Sequence, residues 1–342
     1  EADFNSSFFF QPVLKSTQTL KDKNNKKLTV QKGSMDTYTM FIELAYNIMR
    51  VNGCMTMIVP ISLTSSDSLS GVHNILKSKC DDIYISSYAV RPQPVFKNAM
   101  VNTSILTFRK TGKPCSGIYA TKMYRKGKNF NLQMLVEHLQ FVEVKNLMLF
   151  GRIPKISLEI EKDILQKLSG CDKLKSYIRE SGTAVYYRFA GGRYFKVVTN
   201  YSNGSSAERA IYFDDKYANA IGCILSSNLS FWFYQIYSDN LNWKNCEIES
   251  TPIPPLSDET IEKLDELYKE YLADIEANAN KRLTSGDSTY TVDSFKEYKI
   301  GKSKAIIDKI DDLICPLYGL NAKETYFIKN YEIEFRLSGE ED

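Results

Sequence analysis

Metal-ligand pairs, long apolar runs and a strong charge of either sign are all missing from this chain. It has two histidines and seven cysteines (54, 80, 115, 171, 223, 246 and 315), and no two cysteines form a C-x-x-C pair. That spacing excludes the common structural zinc arrangements, and an odd number of scattered thiols suits a reducing compartment. No stretch approaches the roughly 20 apolar residues that a membrane span requires, and Glu1-Ala2-Asp3 does not open a signal peptide. The sequence therefore predicts a soluble, cytoplasmic protein with no membrane partner and no metal site. With 44 basic against 41 acidic residues, the net charge is only +3, so any surface for a polyanion must be built locally. There is no Gly-x-Gly, and Pro254-Pro255 is the sole Pro-Pro pair.

What remains is an ordinary globular composition, 43% hydrophobic and 25% charged over 342 residues. That length suits two folded units with room for a small third. The stretch Asp36–Lys110 is the best organised. Tyr38, Phe41, Ile42, Ala45, Ile48 and Met49 recur at helical spacing, with Asp36 placed to cap the start and Asn52-Gly53 to end the helix. Cys54–Ile61 is a short apolar run closed by Pro60, a buried strand. A second helix is predicted from about Ser66, with Leu69, Val72, Ile75 and Leu76 inward and Lys77 and Lys79 at its negative end. Ile83–Val90 and Val101–Arg109 are two further strands, separated by a loop that holds Arg91, Pro92, Pro94 and Phe96. Helix, strand, helix, strand with short joints predicts an α/β layer on a mostly parallel sheet.

Two segments narrow this outline: VNGCMTMIVPISLTSSDS (51–68) and PVFKNAMVNTSILTFRK (94–110). Together, in this order, they resemble the last half of the catalytic domain of N6-adenine-specific DNA methyltransferases. The closer likeness is to restriction–modification enzymes that carry a C-terminal target-recognition domain. In that family a helix with the Phe-Ile-Glu of 41–43 leads through a Gly into a strand ending Val-Pro, and the Val-Phe-x-x-Ala-x-Val-x-Thr-Ser-Ile run closes the catalytic domain. The resemblance implies that the target adenine is pulled from the duplex and that Phe96 stacks on it. An aromatic face suits that task, since base stacking contributes about 1–3 kcal/mol. Read without the resemblance, Phe96 is a core aromatic at a strand entrance. Arg91 nearby has two readings, a phosphate contact or a plain loop arginine. The family also carries a glycine-rich turn for S-adenosylmethionine and an Asn-Pro-Pro-Tyr for the target amine, and neither occurs here. The cofactor site is therefore expected mostly upstream, in a preceding half on the same polypeptide or a partner chain, and this chain alone is not expected to transfer a methyl group.

The pattern changes after Thr111-Gly112-Lys113-Pro114. Lys122, Arg125, Lys126 and Lys128 surround Tyr124 in a basic stretch that reads either as a track for a DNA backbone or as a solvated charge run. Residues 155–180 are predicted helical, with Ile160, Ile164, Leu165 and Leu168 inward. In AVYYRFAGGRYFKVVTNYS (184–202), aromatic residues alternate with Arg188, Arg193 and Lys196 about Gly191-Gly192. This is a β-hairpin suited to reading base edges or phosphates, with Tyr194 among its aromatics. Ala218–Tyr237 is strongly apolar, and Trp232 is assigned to the core. Trp243 and Lys244, in a polar turn, are the more exposed candidates for DNA contact. Ser257 caps a helix striped by Ile261, Leu264, Leu267, Tyr268, Tyr271, Leu272 and Ile275. A polar linker, 283–302, precedes an amphipathic helix with Ile306, Ile307, Ile310, Leu313 and Ile314, and Asn321–Glu324 has the spacing of a capping box.

The expected fold class is α/β: the C-terminal half of a Rossmann-like methyltransferase sheet, then an α+β target-recognition domain and a helical tail. The corresponding boundaries are 1–112, 113–256 and 257–342. Two functions are carried forward. One is the rear portion of an adenine-N6 DNA methyltransferase acting on double-stranded DNA with S-adenosylmethionine, in a restriction–modification or phage-defence system. The other is a non-catalytic DNA-recognition subunit. A nuclease site is not supported, because no Pro-Asp precedes the Glu143-x-Lys145 spacing.

Overall fold

The structure is a computed structural model describing residues 17–21, 27–31, 36–94, 100–127, 132–192, 194–283 and 294–337. The chain divides into two compact units, Glu1–Lys162 and Asp163–Asp342. The pattern change at 112–113 lies inside the first.

In the first unit an antiparallel ribbon, β1 (Thr17–Lys21) with β2 (Lys27–Gln31), precedes helix α1 (Thr37–Ile48). Asp36 opens α1 through its backbone, its carbonyl accepting Thr39 N–H at 3.0 Å, and its side chain makes no capping bond. Asn52 takes the left-handed conformation, φ 65°, that turns the chain toward the sheet. Lys110 satisfies the end of α1 by donating to the carbonyls of Tyr46 and Met49 at 2.8 and 2.9 Å. There follow β3 (Cys54–Pro60), the single turn α2 (Ser62–Ser65), α3 (Ser70–Lys79), β4 (Cys80–Tyr88), β5 (Thr103–Lys110), β6 (Ile118–Tyr124), α4 (Leu132–Glu137) and β7 (Val142–Glu143).

The strand order is β3-β5-β4-β6-β7. β3, β4 and β6 point one way, but only β4 and β6 pair in parallel, so the sheet is not the mostly parallel one expected. β6 is a strand where the sequence suggests a basic hairpin-like stretch. β5 inserts between β3 and β4 antiparallel to both, and β7 is antiparallel to β6. The sheet is mixed because β5, returning from the loop after β4, satisfies the backbone groups of two parallel strands at once. One face is apolar and buried, through Met55, Val59, Ile83, Ile85, Leu106 and Phe108. The predicted inward residues Leu69, Val72, Ile75 and Leu76 are buried with it. His73 is buried too and bonds the Leu63 carbonyl at 2.7 Å. Burial pushes its pKa down to about 4, so it is a neutral core residue.

The register puts Ile58, Thr56, Thr107, Tyr84 and Tyr119 on the other face. There Tyr84 stacks on Tyr119 at 5.0 Å and meets Phe141 edge-on. Among the described residues β3 pairs with β5 alone, so its other edge is open. In α1, Ile42 is buried, but Phe41 is 57% and Ile48 77% exposed, and Leu44 between them is exposed as well. The helix has two apolar stripes, and the sheet covers one.

The second unit begins within α5 (Glu159–Leu168), which is shorter than the predicted 155–180. Ser169-Gly170 ends it, and β8 (Asp172–Lys173) then pairs with β13 (Pro252–Ile253). A four-stranded sheet is ordered β11-β10-β12-β9, from β9 (Ile178–Arg179), β10 (Thr183–Arg188), β11 (Val198–Thr199) and β12 (Glu208–Phe213). The apolar 218–237 run forms two helices, α6 (Asp215–Leu225) and α7 (Asn228–Tyr237), because Ser227 caps the second by accepting Ser230 N–H at 3.0 Å. Trp232 is fully buried, as predicted. The short α8 (Asn245–Glu249) leads to β13, and Ser257 caps α9 (Asp258–Ala277) by accepting Thr260 N–H at 3.2 Å. Leu264, Tyr268, Tyr271 and Ile275 are the buried stripe of α9.

An antiparallel pair, β14 (Ala279–Leu283) with β15 (Ser294–Tyr298), begins before the expected polar linker 283–302 and places its second strand inside it. The chain closes with α10 (Lys304–Ile314), α11 (Ala322–Asn330) and α12 (Ile333–Leu337). The predicted capping box forms: Asn321 Oδ1 accepts Glu324 N–H at 3.0 Å, and Glu324 accepts Asn321 N–H at 2.7 Å.

Candidate nucleic-acid interface

The carboxyl ends of β3, β4 and β6 lie side by side, since the register aligns Pro60, Thr103, Tyr88 and Tyr124 in one row. In open α/β sheets such an end is where ligands bind. Asn102 braces it. Its side-chain oxygen accepts Val90 N–H at 2.7 Å, and its carbonyl accepts Ile61 N–H at 2.9 Å. Ala89 N–H bonds the Tyr124 carbonyl at 2.9 Å. The chain leaves β4 here through Arg91, which is exposed, and the cis Arg91–Pro92 bond, and it returns here to β5. Gln93 forms an isolated bridge with Lys126, so the Arg91 loop and the basic stretch meet. Phe96 belongs to this loop and lies outside the described residues, as does Lys128.

The other basic side chains differ from one another. Lys122 extends over the Tyr124 ring at 5.6 Å, and the Tyr124 hydroxyl accepts Gln140 N–H at 3.0 Å. Lys126 is half-buried, and Arg125 is buried. Asn102 was not singled out from sequence. Its signal is a lone amide directly before the Thr-Ser-Ile strand.

In the second unit β10 and β11 form the antiparallel pair expected about Gly191-Gly192, both glycines having left-handed φ (73° and 66°). Arg188 is exposed, and its Nε donates to the Ala190 carbonyl at 2.9 Å. Arg193 lies outside the described residues. Lys196 is buried, its ammonium donating to the Gly191 carbonyl at 2.6 Å and sitting 4.3 Å from the centre of the Tyr234 ring. It closes the loop from within. Tyr194 is half-buried, and its carbonyl accepts Arg336 Nε–H at 3.0 Å.

Trp243 corrects the expectation of exposure. The turn around it is polar, but its ring is 1% exposed, edge-on to Tyr187 at 5.6 Å and 5.7 Å from Tyr234. Lys244 is partly exposed and pairs with Asp239 at 2.8 Å. That contact and two backbone N–H groups outweigh burial and lower the Asp239 pKa.

Two features bear on a cofactor. Gly127 is the glycine that follows β6 at the carboxyl end, and nothing lies within 4 Å of where its Cβ would be. Gly53 makes a close backbone approach, 2.9 Å to the Arg50 carbonyl, but at the opposite end of the sheet. The described residues therefore do not form a glycine-rich cradle for S-adenosylmethionine at this end.

Residues 11–96 match the family described as Eco57I restriction-modification methylase. Those residues, about a quarter of the chain, are thus similar to part of a restriction–modification methylase. The matched stretch runs from the N-terminal ribbon to Phe96, and so takes in α1, β3, β4 and the Arg91 loop. Among solved structures the chain is similar to the type IIL restriction-modification enzyme MmeI in complex with DNA, at 11% identity over 98% of this chain and 54% of that one, TM-score 0.50. It also matches the ATP-dependent type ISP restriction-modification enzyme LlaBIII bound to DNA, at 10% identity over 86% and 31%, TM-score 0.37. A third match is a modification subunit of a putative type I restriction enzyme from Vibrio vulnificus YJ016, at 15% identity over 35% and 31%, TM-score 0.24. The MmeI likeness is one of fold. The chain spans about half the length of that structure and about a third of the other two. No curated protein matches. Among the described residues no helix is long and apolar enough to cross a membrane.

Proposed function

We propose that this chain is the rear portion of an adenine-N6 DNA methyltransferase of a restriction–modification or phage-defence system. In this reading it supplies the base-stacking loop and the DNA-reading unit. The observation that carries the proposal is the carboxyl end of the first unit's sheet, within and beside the matched methylase segment. Pro60, Arg91, the bracing Asn102 and Lys126 converge there around the loop that holds Phe96. Phe96 stacks on the extruded adenine, while Arg91, Lys122 and Lys126 meet phosphates beside it. In the second unit Arg188 and Arg193 face the duplex, with Lys196 holding the shape of their loop. Lys128, Tyr194 and Lys244 complete the assigned contact residues; Arg125, expected among them, is buried and is not one.

S-adenosylmethionine supplies the methyl group, and its pocket belongs to a preceding half of the catalytic domain. That half adds a strand to the open edge of β3 and covers Phe41, Leu44 and Ile48. An unpaired edge beside an exposed apolar stripe is costly to leave in water. The division into 1–112, 113–256 and 257–342 is retained as a functional one: catalytic part, recognition domain and helical tail. Fluorescence anisotropy of labelled duplex DNA with the chain tests the DNA-binding half of the proposal. Salt-dependent binding is expected, and its absence rejects the proposal. The non-catalytic recognition subunit is favoured instead if DNA binding persists but no preceding half restores methylation.

A further inference from the structure

The second unit has a surface cavity of about 520 Å³, lined among others by Arg179, Tyr187, Arg209, Tyr212, Asn245 and Glu249. Its charges are unequally engaged. Arg179 pairs with Asp214 at 2.8 Å and also donates to the carbonyls of Ser176 and Ile178. Glu249 pairs with Lys175 at 3.4 Å. Arg209 is exposed and, among the described residues, has no carboxylate partner. It is nevertheless held in place. Its guanidinium carbon lies 3.6 Å from the centre of the Phe189 ring, and its Nη1 donates to Asn245 Oδ1 at 3.4 Å. The Tyr187 hydroxyl donates to the same oxygen at 3.5 Å. Cross-strand pairing of Tyr187 with Arg209 fixes both on one face of the β10–β12 sheet.

We infer that Arg209 is a base-reading residue of this unit, presenting its guanidinium fork to the O6 and N7 acceptors of a guanine in duplex DNA. The inference rests on the DNA-binding reading above and adds a residue and a base to it. A phosphate can be met by Lys as well as by Arg, and such a contact carries no sequence information. A guanine edge offers two acceptors in one plane, which a guanidinium matches bidentately when its plane is fixed beforehand. Stacking on Phe189 with an amide at one edge fixes it, and its charge meets no carboxylate among the described residues. Asn245 and Phe189 are positioning residues. The cavity beside the fork gives an incoming base edge room.

The test is selection of binding sequences from a randomised duplex library by the whole chain, by Arg209→Ala and by Arg209→Lys, with salt dependence recorded for each. The wild-type chain is expected to select a motif containing one guanine whose preference both variants lose, while the other positions persist. At that position 7-deazaguanine, which lacks N7, should weaken wild-type binding about tenfold and leave Arg209→Ala no weaker. Arg209→Lys should keep the wild-type salt slope. An unchanged motif in Arg209→Ala overturns the inference, as does an even loss of affinity over all sequences with a shallower salt slope. Failure of the wild-type chain to bind any duplex overturns the DNA-binding reading itself, and this inference with it.

Discussion

Asp311 receives both the backbone N–H and the side-chain amide of Asn228, at 3.1 and 2.6 Å, and so closes the first turn of α7 from a different helix. Its other oxygen takes Leu229 N–H at 3.0 Å. The pair is buried with Arg336, which donates to Asn228 Oδ1 at 2.7 Å and lies over the Phe195 and Phe231 rings. Ser227 takes the Ser230 N–H from within the helix's own sequence, and Asp311 of α10 takes the two donors before it. Replacing Asp311 with Ala strands two buried backbone donors and an amide, and is expected to destabilise the chain by about 3 kcal/mol in a denaturant titration.

The same carboxyl sets a pH dependence. Burial raises its pKa to about 6, against three hydrogen bonds that pull it down. A folded-state pKa above the unfolded value means that the folded form holds the proton more tightly. The stability from this group is therefore fully present below about pH 4 and declines as pH rises to about 6, by up to about 3 kcal/mol. The stability of the native chain minus that of Asp311→Asn should fall across that window and be flat above it. A difference that stays level from pH 4 to 6 contradicts this assignment.

Gly222 of α6 lies against Tyr268 of α9 so closely that an added Cβ would sit 2.6 Å from the ring and 2.7 Å from its hydroxyl. Gly222→Ala gains about 1 kcal/mol of helix propensity but meets a fully buried ring with no room to yield. A net loss of about 1–3 kcal/mol in thermal or chemical denaturation is expected. Tyr268→Phe in the same chain should recover part of it by removing the hydroxyl.

The outward stripe of α1 separates folding from assembly. Phe41→Ser and Ile48→Ser should change the stability of this chain by no more than about 0.5 kcal/mol, since both side chains are exposed. They should weaken its co-purification with a co-expressed preceding half. Loss of stability in the chain alone would mean that the stripe is already covered.

Replacing Arg188 and Arg193 together should weaken duplex binding and reduce the salt slope by about 1.8, two phosphate contacts' worth. An unchanged slope in an anisotropy titration at several salt concentrations removes both from the interface.

Local signals in the sequence were reliable where one residue decides the outcome. Ser257 and the Asn321–Glu324 pair cap their helices as their spacing predicts, and the α9 stripe is core. Long-range pairing was not legible. Nothing in Thr103–Lys110 says that it inserts, reversed, between β3 and β4. The β14–β15 pair is polar, so it lacks the alternation that marks a strand against a core. The helical spacing of Phe41, Ile42 and Ile48 does not say which of them face the sheet, because a helix with two apolar faces has the same periodicity as one with a single broad face. At the candidate site, Trp243 was misjudged because its neighbours in sequence are polar while its neighbours in space are Tyr187 and Tyr234. Arg209 was overlooked because only the fold sets it on Phe189, twenty residues earlier in the chain.

The most direct measurement is transfer of labelled methyl from S-adenosylmethionine to duplex DNA, by this chain alone and by the chain joined with a preceding catalytic half. No transfer is expected from the chain alone. N6-methyladenine is expected from the combination, and it should be lost when Phe96 is replaced by Ala. Methylation by the isolated chain, or a combined enzyme indifferent to Phe96, would contradict the account.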